Sequence, residues 1–253
     1  MLEGLNKVPW HKLSHAYGDA SDVPDLIRSL RGNQAEADVA LHELFGNIWH
    51  QGTVYESTSY AVPFLVEVAG DEGTPDRIGV LALIAAIATG HPFTRTYNTR
   101  KAVEEKFDQI LKIAKSDDVE IRLAALHVLA QFPNRAEAVG KIILSSLKPE
   151  TDSLYRAGHL LLLGQVKDSS TESIKIIFSS FDASETERIA AMLALALMNY
   201  RLMPVPEYQQ MTAELNMEAI ETHFSGLPWD ALGEIDEEEI TAYFASFRIK
   251  DDD

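Results

Sequence analysis

The feature that most constrains this fold is a two-helix pattern that recurs five times between Asp22 and Met198. In each copy an amphipathic helix is followed by a polar turn and then by a helix that is apolar on nearly all sides. A helix of the second kind must be covered on several sides. Neighbouring copies supply that cover, so the pattern predicts helix pairs stacked side by side with a continuous buried layer.

Ten segments carry this pattern. The first helices are predicted as "DVPDLIRSL" from Asp22, "AVPFLVEVA" from Ala61, "FDQILKIA" from Phe107, "GKIILSSL" from Gly140 and "IKIIFSSF" from Ile174. Their partners are predicted as "EADVALHELFGNI" from Glu36, "PDRIGVLALIAAIA" from Pro75, "VEIRLAALHVLAQF" from Val119, "DSLYRAGHLLLLGQV" from Asp152 and "ETERIAAMLALALM" from Glu185.

A charged residue stands early in each second helix, at Asp38, Arg77, Arg122, Arg156 and Arg188. These positions are 39, 45, 34 and 32 residues apart, a spacing typical of HEAT-type units. Acids lie in the turns before the four arginines, at Asp71, Asp117, Asp118, Glu150 and Asp182. We therefore expect a structural ladder in which these acids and arginines pair within and between repeats.

The five pairs resemble the HEAT-repeat superfamily over roughly residues 22 to 200. The segments "IWHQGTVYESTSYAVPFL", "YNTRKAVEE" and "VEIRLAALHVLAQFP" resemble, more narrowly, a bacterial family of HEAT-repeat-domain proteins. The resemblance implies an all-α fold of the α-α superhelix type, and it supplies no catalytic residues. HEAT-like proteins serve mainly as protein-binding scaffolds, and some bacterial ones resemble immunity partners of toxins.

Two regions are predicted: a HEAT-like repeat solenoid over residues 1–203 and an acidic helical segment over residues 204–253. Pro204 and Pro206 interrupt the pattern, and "MTAELNMEAIETHF" then reads as an amphipathic helix. A solenoid needs its last apolar face covered, so a cap is the first interpretation. The alternative is a docking site for a basic partner, whose aromatic anchors would be Trp229, Tyr243, Phe244 and Phe247.

The net charge of −17 is unevenly spread, because thirteen acids and two bases follow residue 203. Such a surface repels nucleic-acid phosphates and anionic lipids, and it attracts a basic protein. The alternative interpretation is that the acidity only maintains solubility. The chain has no cysteine and shows neither a secretory signal nor an apolar run long enough to cross a bilayer. We expect a cytoplasmic protein.

The segment "NIWHQGTVYESTSYAVPFL" places polar side chains in an apolar stretch. The favoured interpretation is a helix junction. In it Gly52 ends a helix, Thr53 and Glu56 form a capping box, and Pro63 restarts or kinks the next helix. His50 and Gln51 then bond exposed carbonyls. The alternative is a polar pocket on the binding face, made by His50, Gln51, Tyr55 and Tyr60.

Bases and aromatics alternate in the linker "TGHPFTRTYNTRK" from Thr89 to Lys101. Its candidate binding residues for an acidic or planar partner are His91, Phe93, Arg95, Tyr97, Arg100 and Lys101. Functional contacts concentrate in long inter-repeat loops. A solvated connector is the alternative, and pairing of these bases with the acidic tail of the same chain is another.

No phosphate-binding glycine loop, serine elbow or zinc-protease helix is present. His11 and His15 are interpreted as surface residues rather than metal ligands, because no third candidate ligand stands at a sequence spacing typical of metal sites. His42, His127 and His159 are read as core histidines with backbone partners. We therefore expect no metal, no cofactor and no catalytic residues.

The function expected from these observations is a non-enzymatic scaffold that binds another macromolecule. A basic protein is the favoured partner, such as a toxin that this chain neutralises. Two alternatives remain: an enzyme of the HEAT-like DNA glycosylase type, and a lyase or chaperone for a small cofactor. The glycosylase needs a positive channel, which 39 acids against 22 bases disfavour. The oligomeric state is not defined by the sequence.

Overall fold

The computed structural model of the chain describes residues 1–94, 97–199 and 217–230. The described residues are mostly helical, which confirms the all-α prediction. They form two compact units, one from Met1 to Gln131 and one that begins at Phe132. No helix in the described ranges combines the length and the apolar character needed to cross a membrane.

Seven helices belong to the described part of the first unit: α1 Val23–Ser29, α2 Gln34–Asn47, α3 Glu56–Ala69, α4 Arg77–Thr89, α5 Thr99–Glu104, α6 Phe107–Ile113 and α7 Val119–Ala130. Five belong to the described part of the second: α8 Ala136–Leu147, α9 Ser153–Gln165, α10 Thr171–Ser179, α11 Glu185–Leu197 and α12 Met217–Phe224. All ten predicted repeat helices are confirmed. Helix α5 is an addition, because the sequence was read as a linker there.

The first unit contains two layers of helices. The first helices α1, α3 and α6 contact one another in succession, and so do the second helices α2, α4 and α7. Each first helix also packs on its own partner. Leu83, Ile84 and Leu126 in the second-helix layer are fully buried.

The second unit centres on the contact between α9 and α11. Helix α8 packs on α9, α10 packs on α11, and α12 touches both α9 and α11. This position of α12 is one that a cap would take, with Ile220 and Phe224 buried. Residues 204–216 and 231–253 of the predicted cap, including Tyr243, Phe244 and Phe247, lie outside the described residues.

The polar turns between helices begin the next helix by capping it. Six of the ten helices that form the pairs begin after a capping residue, whose side chain accepts a hydrogen bond from a backbone N–H of the first turn. The capping residues are Asn33, Asp76, Asp118, Asp152, Ser170 and Ser184. Each such cap contributes about 1 kcal/mol to helix stability. Asp118, one of the turn acids that were predicted as ladder partners, is therefore a helix cap.

The recurring arginines take a different role from the predicted ladder. Three of them donate to carbonyls at the end of the preceding first helix or just beyond it: Arg77 Nε to Ala69 O at 2.8 Å, Arg122 Nη1 to Ser116 O at 2.6 Å and Arg156 Nη1 to Glu150 O at 2.9 Å. A guanidinium there satisfies carbonyls that the helix leaves unpaired.

Ion pairs between repeats are present, with partners that the sequence did not indicate. Arg31 Nη2 lies 2.7 Å from Asp71 Oδ2, joining the first repeat to the second. Arg156 Nε lies 2.7 Å from Glu187 Oε2, joining the fourth to the fifth. The arginines are structural, as expected, but Asp71 is bonded by Arg31 while its predicted partner Arg77 bonds a carbonyl.

Short strands add two small sheets to the first unit. β1 Ser14–His15 pairs antiparallel with β2 Gly18–Asp19. β3 Trp49–His50 pairs antiparallel with β4 Thr53–Val54, and β4 pairs parallel with β5 His91–Pro92. The sequence analysis did not predict these strands.

The predicted helix end at Gly52 is wrong. Helix α2 ends at Asn47, and Gln51 and Gly52 form the two-residue turn of the β3–β4 hairpin. Both have positive φ, 49° and 83°, as a type I′ turn requires. Such a turn follows the twist of the two strands, so the chain reverses here by a hairpin instead of by a helix junction.

The predicted start of the next helix also differs. Thr58 Oγ1 accepts the N–H of Tyr55 at 2.9 Å and donates to the Ile48 carbonyl, so Thr53 and Glu56 do not make the cap. Helix α3 runs from Glu56 to Ala69 with Pro63 inside it.

Candidate binding surface

The short strands bring together five aromatic rings in the first unit. Tyr17 lies in the β1–β2 turn, His50 on β3, Tyr55 after β4, and Phe93 and Tyr97 after β5. We call these five residues the aromatic surface. Three separate stretches of the chain contribute to it, and the β3–β4–β5 sheet holds two of them in register.

Ring contacts join the members of the aromatic surface. The Tyr17 and His50 rings meet edge to face with centroids 5.6 Å apart, and Tyr55 and Phe93 lie 5.7 Å apart at an interplanar angle of 30°. The outer rings are nevertheless open to solvent, since Tyr17 is 70% and Phe93 is 71% exposed. Large aromatic rings in this position are enriched in protein interfaces.

Tyr55 is half-buried within the aromatic surface. Burial raises the pKa of the Tyr55 phenol, and the Tyr97 and Tyr17 phenols raise it further. The Tyr55 phenol therefore stays neutral at physiological pH. Tyr97 is fixed by its hydroxyl, which donates to the Val54 carbonyl at 2.9 Å and accepts the Thr94 N–H at 3.2 Å.

A partly buried hydrogen-bond network holds the Tyr17 turn. His15 Nδ1 accepts the Tyr17 N–H at 3.0 Å, so Nε2 carries the proton and donates to Asp22 Oδ1 at 3.0 Å. Asn47 Nδ2 donates to the other Asp22 oxygen at 2.7 Å, and its carbonyl accepts the Ala16 N–H. The turn is thereby tied to the end of α2 and to the start of α1, which fixes the backbone that carries the Tyr17 ring.

His15 was predicted to be a surface residue, and this is wrong, because only 9% of it is exposed. His11 is exposed as predicted. Within residues 1–94, 97–199 and 217–230 no group of three or more His, Cys, Asp or Glu side chains is placed to hold a metal ion.

The hairpin turn under the aromatic surface gives a direct prediction. Gly52→Ala should lower the free energy of unfolding by about 1 kcal/mol, because a Cβ is strained at positive φ. Gln51→Asn should raise it slightly, since asparagine tolerates that conformation. Gly73→Ala is the matched control, because an added Cβ meets Asp71 only at 3.6 Å and φ is ordinary. Urea unfolding measures all three; equal losses at Gly52 and Gly73 would contradict the turn assignment.

The predicted site residues fall into several places. His50, Tyr55 and Tyr97 are members of the aromatic surface. Gln51 is exposed at the hairpin tip, and Tyr60 is 45% exposed on α3 without a ring contact among the described residues.

The remaining predicted site residues are not members of the aromatic surface. His91 is exposed on β5, two residues before Phe93. Arg100 donates to the Ala88 carbonyl at 3.2 Å and to the Gln131 carbonyl, so its guanidinium has a structural role. Trp229 is half-buried in the second unit, and Arg95 lies outside the described residues.

Tyr17 was missed by the sequence analysis. The available signal was "HAYGD", an aromatic residue beside a glycine in a polar stretch, which is typical of a turn tip. Phe93 was recognised as part of the linker but not as the most exposed of its aromatic rings.

The histidines on second helices do not form a site. His159 is fully buried, with Nδ1 2.6 Å from the Tyr155 carbonyl and Nε2 2.8 Å from Ser146 Oγ. This confirms the core prediction for His159, whereas His42 is exposed on α2. The Ser146–His159 contact resembles a nucleophile and its base. Its imidazole is closed to solvent, however, so the contact joins α8 to α9.

A cleft of about 1190 Å³ lies in the first unit between the α3–α4 turn and the α6–α7 turn. Val66, Ile113 and Ile121 line it together with charged groups. Several of those charged groups already have structural partners: Asp76 and Asp118 cap helices, and Glu67 accepts the Leu2 N–H at 2.7 Å. The aromatic surface is therefore the stronger candidate.

Comparisons with protein-family models, with curated proteins and with solved structures give no match. The class of the protein accordingly follows from its own geometry. It is a mostly helical protein, built from helix pairs, that presents exposed aromatic rings beside short strands.

Proposed function

We propose that this chain is a non-enzymatic binding protein of the HEAT-like α-solenoid type, and that its aromatic surface contacts a basic protein. The observation that carries the proposal is the exposure of the Tyr17 and Phe93 rings on rigid supports. Tyrosine is among the residues that contribute most binding energy in protein interfaces. The repeated helix pairs support the solenoid part of the proposal, and the partner class is inferred from charge.

Preorganisation supports the choice of this surface. A loop that must be ordered on binding reduces the net binding free energy by its lost conformational freedom. Here the Tyr17 N–H is bound to His15, and the Phe93 N–H donates to the Val54 carbonyl at 2.9 Å. Both exposed rings are therefore carried on backbone that is already hydrogen-bonded before a partner arrives.

The charge of the chain supports a basic partner. A net charge of −17 accelerates the encounter with a positive protein, and salt weakens that attraction. The same charge disfavours the DNA glycosylase alternative, which needs cations along its phosphate channel. Arg77, Arg122 and Arg156 are occupied by backbone carbonyls, which removes them from such a channel.

Affinity capture from a lysate of the source cells tests this function. The bait is the full chain, the comparison is the double variant Tyr17→Ala/Phe93→Ala, and Tyr60→Ala is the matched control for loss of one exposed tyrosine ring. We expect a basic protein to be recovered at low salt by the wild type and by Tyr60→Ala, and to be lost from the double variant. Recovery of no protein at low salt, or equal recovery by all three baits, would overturn the proposal.

A further inference from the structure

We propose that the aromatic surface binds arginine side chains of the partner, with a guanidinium stacked on the exposed ring of Tyr17 or of Phe93. This inference rests on the proposed function and names the chemistry of its contact. A cation within about 6 Å of an aromatic ring face is attracted by the negative potential of that face. Guanidinium is planar and weakly hydrated, so it stacks better than an ammonium group.

The ring geometry leaves faces open for such a cation. The Phe93 ring lies 5.7 Å from the Tyr55 ring at an angle of 30°, and 71% of Phe93 is exposed, so most of its ring surface is open. Tyr17 meets the His50 ring at 72° and is 70% exposed. The inner rings of His50 and Tyr55 thus support the outer rings without covering both of their faces.

Three carboxylates, Asp19, Asp22 and Glu56, stand near these rings along the chain. Asp19 stands on β2, next to the turn that carries Tyr17, and it is exposed. Hydrogen bonds from Ser21 lower the pKa of Asp19, so this carboxylate is ionised at physiological pH. Asp22 bonds His15 beneath the same turn and keeps 46% of its side chain exposed, while Glu56 directly follows Tyr55. These carboxylates give negative charge to the stretches that carry the rings, which favours a cationic ligand.

The described basic groups near the surface are few. His50 packs edge to face on the Tyr17 ring, and His91 stands on β5. Arg100 turns its guanidinium toward the Ala88 and Gln131 carbonyls. Neutral ring-stacking ligands, such as sugars, would use the rings but gain nothing from the carboxylates, and this difference separates them from an arginine.

Fluorescence anisotropy with three labelled pentapeptides tests the inference on the full chain. The probes are Gly-Arg-Gly-Arg-Gly, the same peptide with lysine, and the same peptide with citrulline, which keeps the planar shape of arginine without its charge. We expect the arginine peptide to bind about two- to five-fold more tightly than the citrulline peptide, the range that one cation–π contact supplies at an exposed site. The lysine peptide should fall between them.

Variants locate the contact. Tyr17→Ala and Phe93→Ala should each weaken the arginine peptide several-fold, and Asp19→Asn should weaken it and reduce its salt dependence. Tyr60→Ala is the control and should leave binding unchanged. Circular dichroism and thermal unfolding verify that each variant folds, which we expect because Tyr17 and Phe93 are mainly exposed.

Each remaining outcome overturns the inference. Equal binding of the arginine and citrulline peptides would show that the positive charge of arginine does not contribute to binding. No measurable binding of any peptide would show that the aromatic surface is not a binding site for arginine. Equal binding by wild type and Tyr17→Ala/Phe93→Ala would indicate only general attraction to an acidic chain. If the double variant still loses the captured partner while no arginine preference is found, the inference fails and the proposed function stands.

Discussion

Replacing Arg156 with leucine should lower the free energy of unfolding by about 3–5 kcal/mol, the range for breaking a buried ion pair by removing one partner. Arg156 Nε lies 2.7 Å from Glu187 Oε2, and only 7% of the Glu187 side chain is exposed. The same guanidinium donates to the Glu150 and Leu147 carbonyls. The variant therefore leaves a buried carboxylate without its cation and two carbonyls without one of their donors.

Urea unfolding of the full chain measures this loss, and two further variants interpret it. Lys141→Leu removes an exposed pair with Glu137, in which 71% and 86% of the side chains are exposed, and should have little effect. The double variant Arg156→Leu/Glu187→Leu should recover much of the stability, because no uncompensated charge remains. Equal losses from Arg156→Leu and Lys141→Leu would contradict the assigned role of the buried pair.

Adding one methyl group at Gly164 should also destabilise the protein strongly, by about 1–3 kcal/mol. Helices α9 and α11 approach closely at this glycine, and an added Cβ would lie 2.6 Å from Ala194 Cα and 2.9 Å from Ala194 O. These are backbone atoms, so a side-chain rotation does not relieve the clash. The two helices must separate, and they form the central contact of the second unit.

Gly46→Ala is the matched control for Gly164→Ala. It is the same substitution within helix α2, but the added Cβ meets only the Tyr17 ring at 4.0 Å. Alanine is the better helix former by about 0.8–1 kcal/mol, so Gly46→Ala should stabilise. Thermal and urea unfolding report both variants. Changes of the same sign and size would contradict the close approach of α9 and α11.

The helices were predictable because their information is local. Apolar periodicity located all ten repeat helices, and polar residues such as Asp118 and Asp152 marked where they begin. Helix α5 was missed because "TRKAVE" is short and polar, with only Val103 and Thr99 buried. A six-residue helix has too few apolar positions to define a period.

The hairpins were not predictable in the same way. Each strand has two residues, so alternation of apolar and polar residues cannot be recognised. Gln51 takes positive φ although it is neither glycine nor asparagine, which hides the turn. The arginine partners were missed because Arg77 bonds the backbone carbonyl of Ala69. Every residue type has such a carbonyl, so the sequence does not indicate which one is the acceptor.

The candidate site was recovered only in part for the same reason. His50, Tyr55 and Tyr97 were selected from two segments that were treated as separate. The parallel pairing of β4 with β5 joins those segments, and the ring contact between Tyr17 and His50 adds Tyr17 from a third. These are long-range contacts, and a single sequence does not contain them.

Hydroxyl-radical footprinting with mass spectrometry tests the central claim most directly, because it measures which side chains a captured partner covers. Oxidation of Tyr17 and Phe93 should fall several-fold when the partner is bound. Tyr60 and Val39, which are also exposed, should oxidise at unchanged rates. Unchanged oxidation of Tyr17 and Phe93, with protection at Tyr60 or Val39 instead, would show that the partner binds elsewhere and would contradict the account.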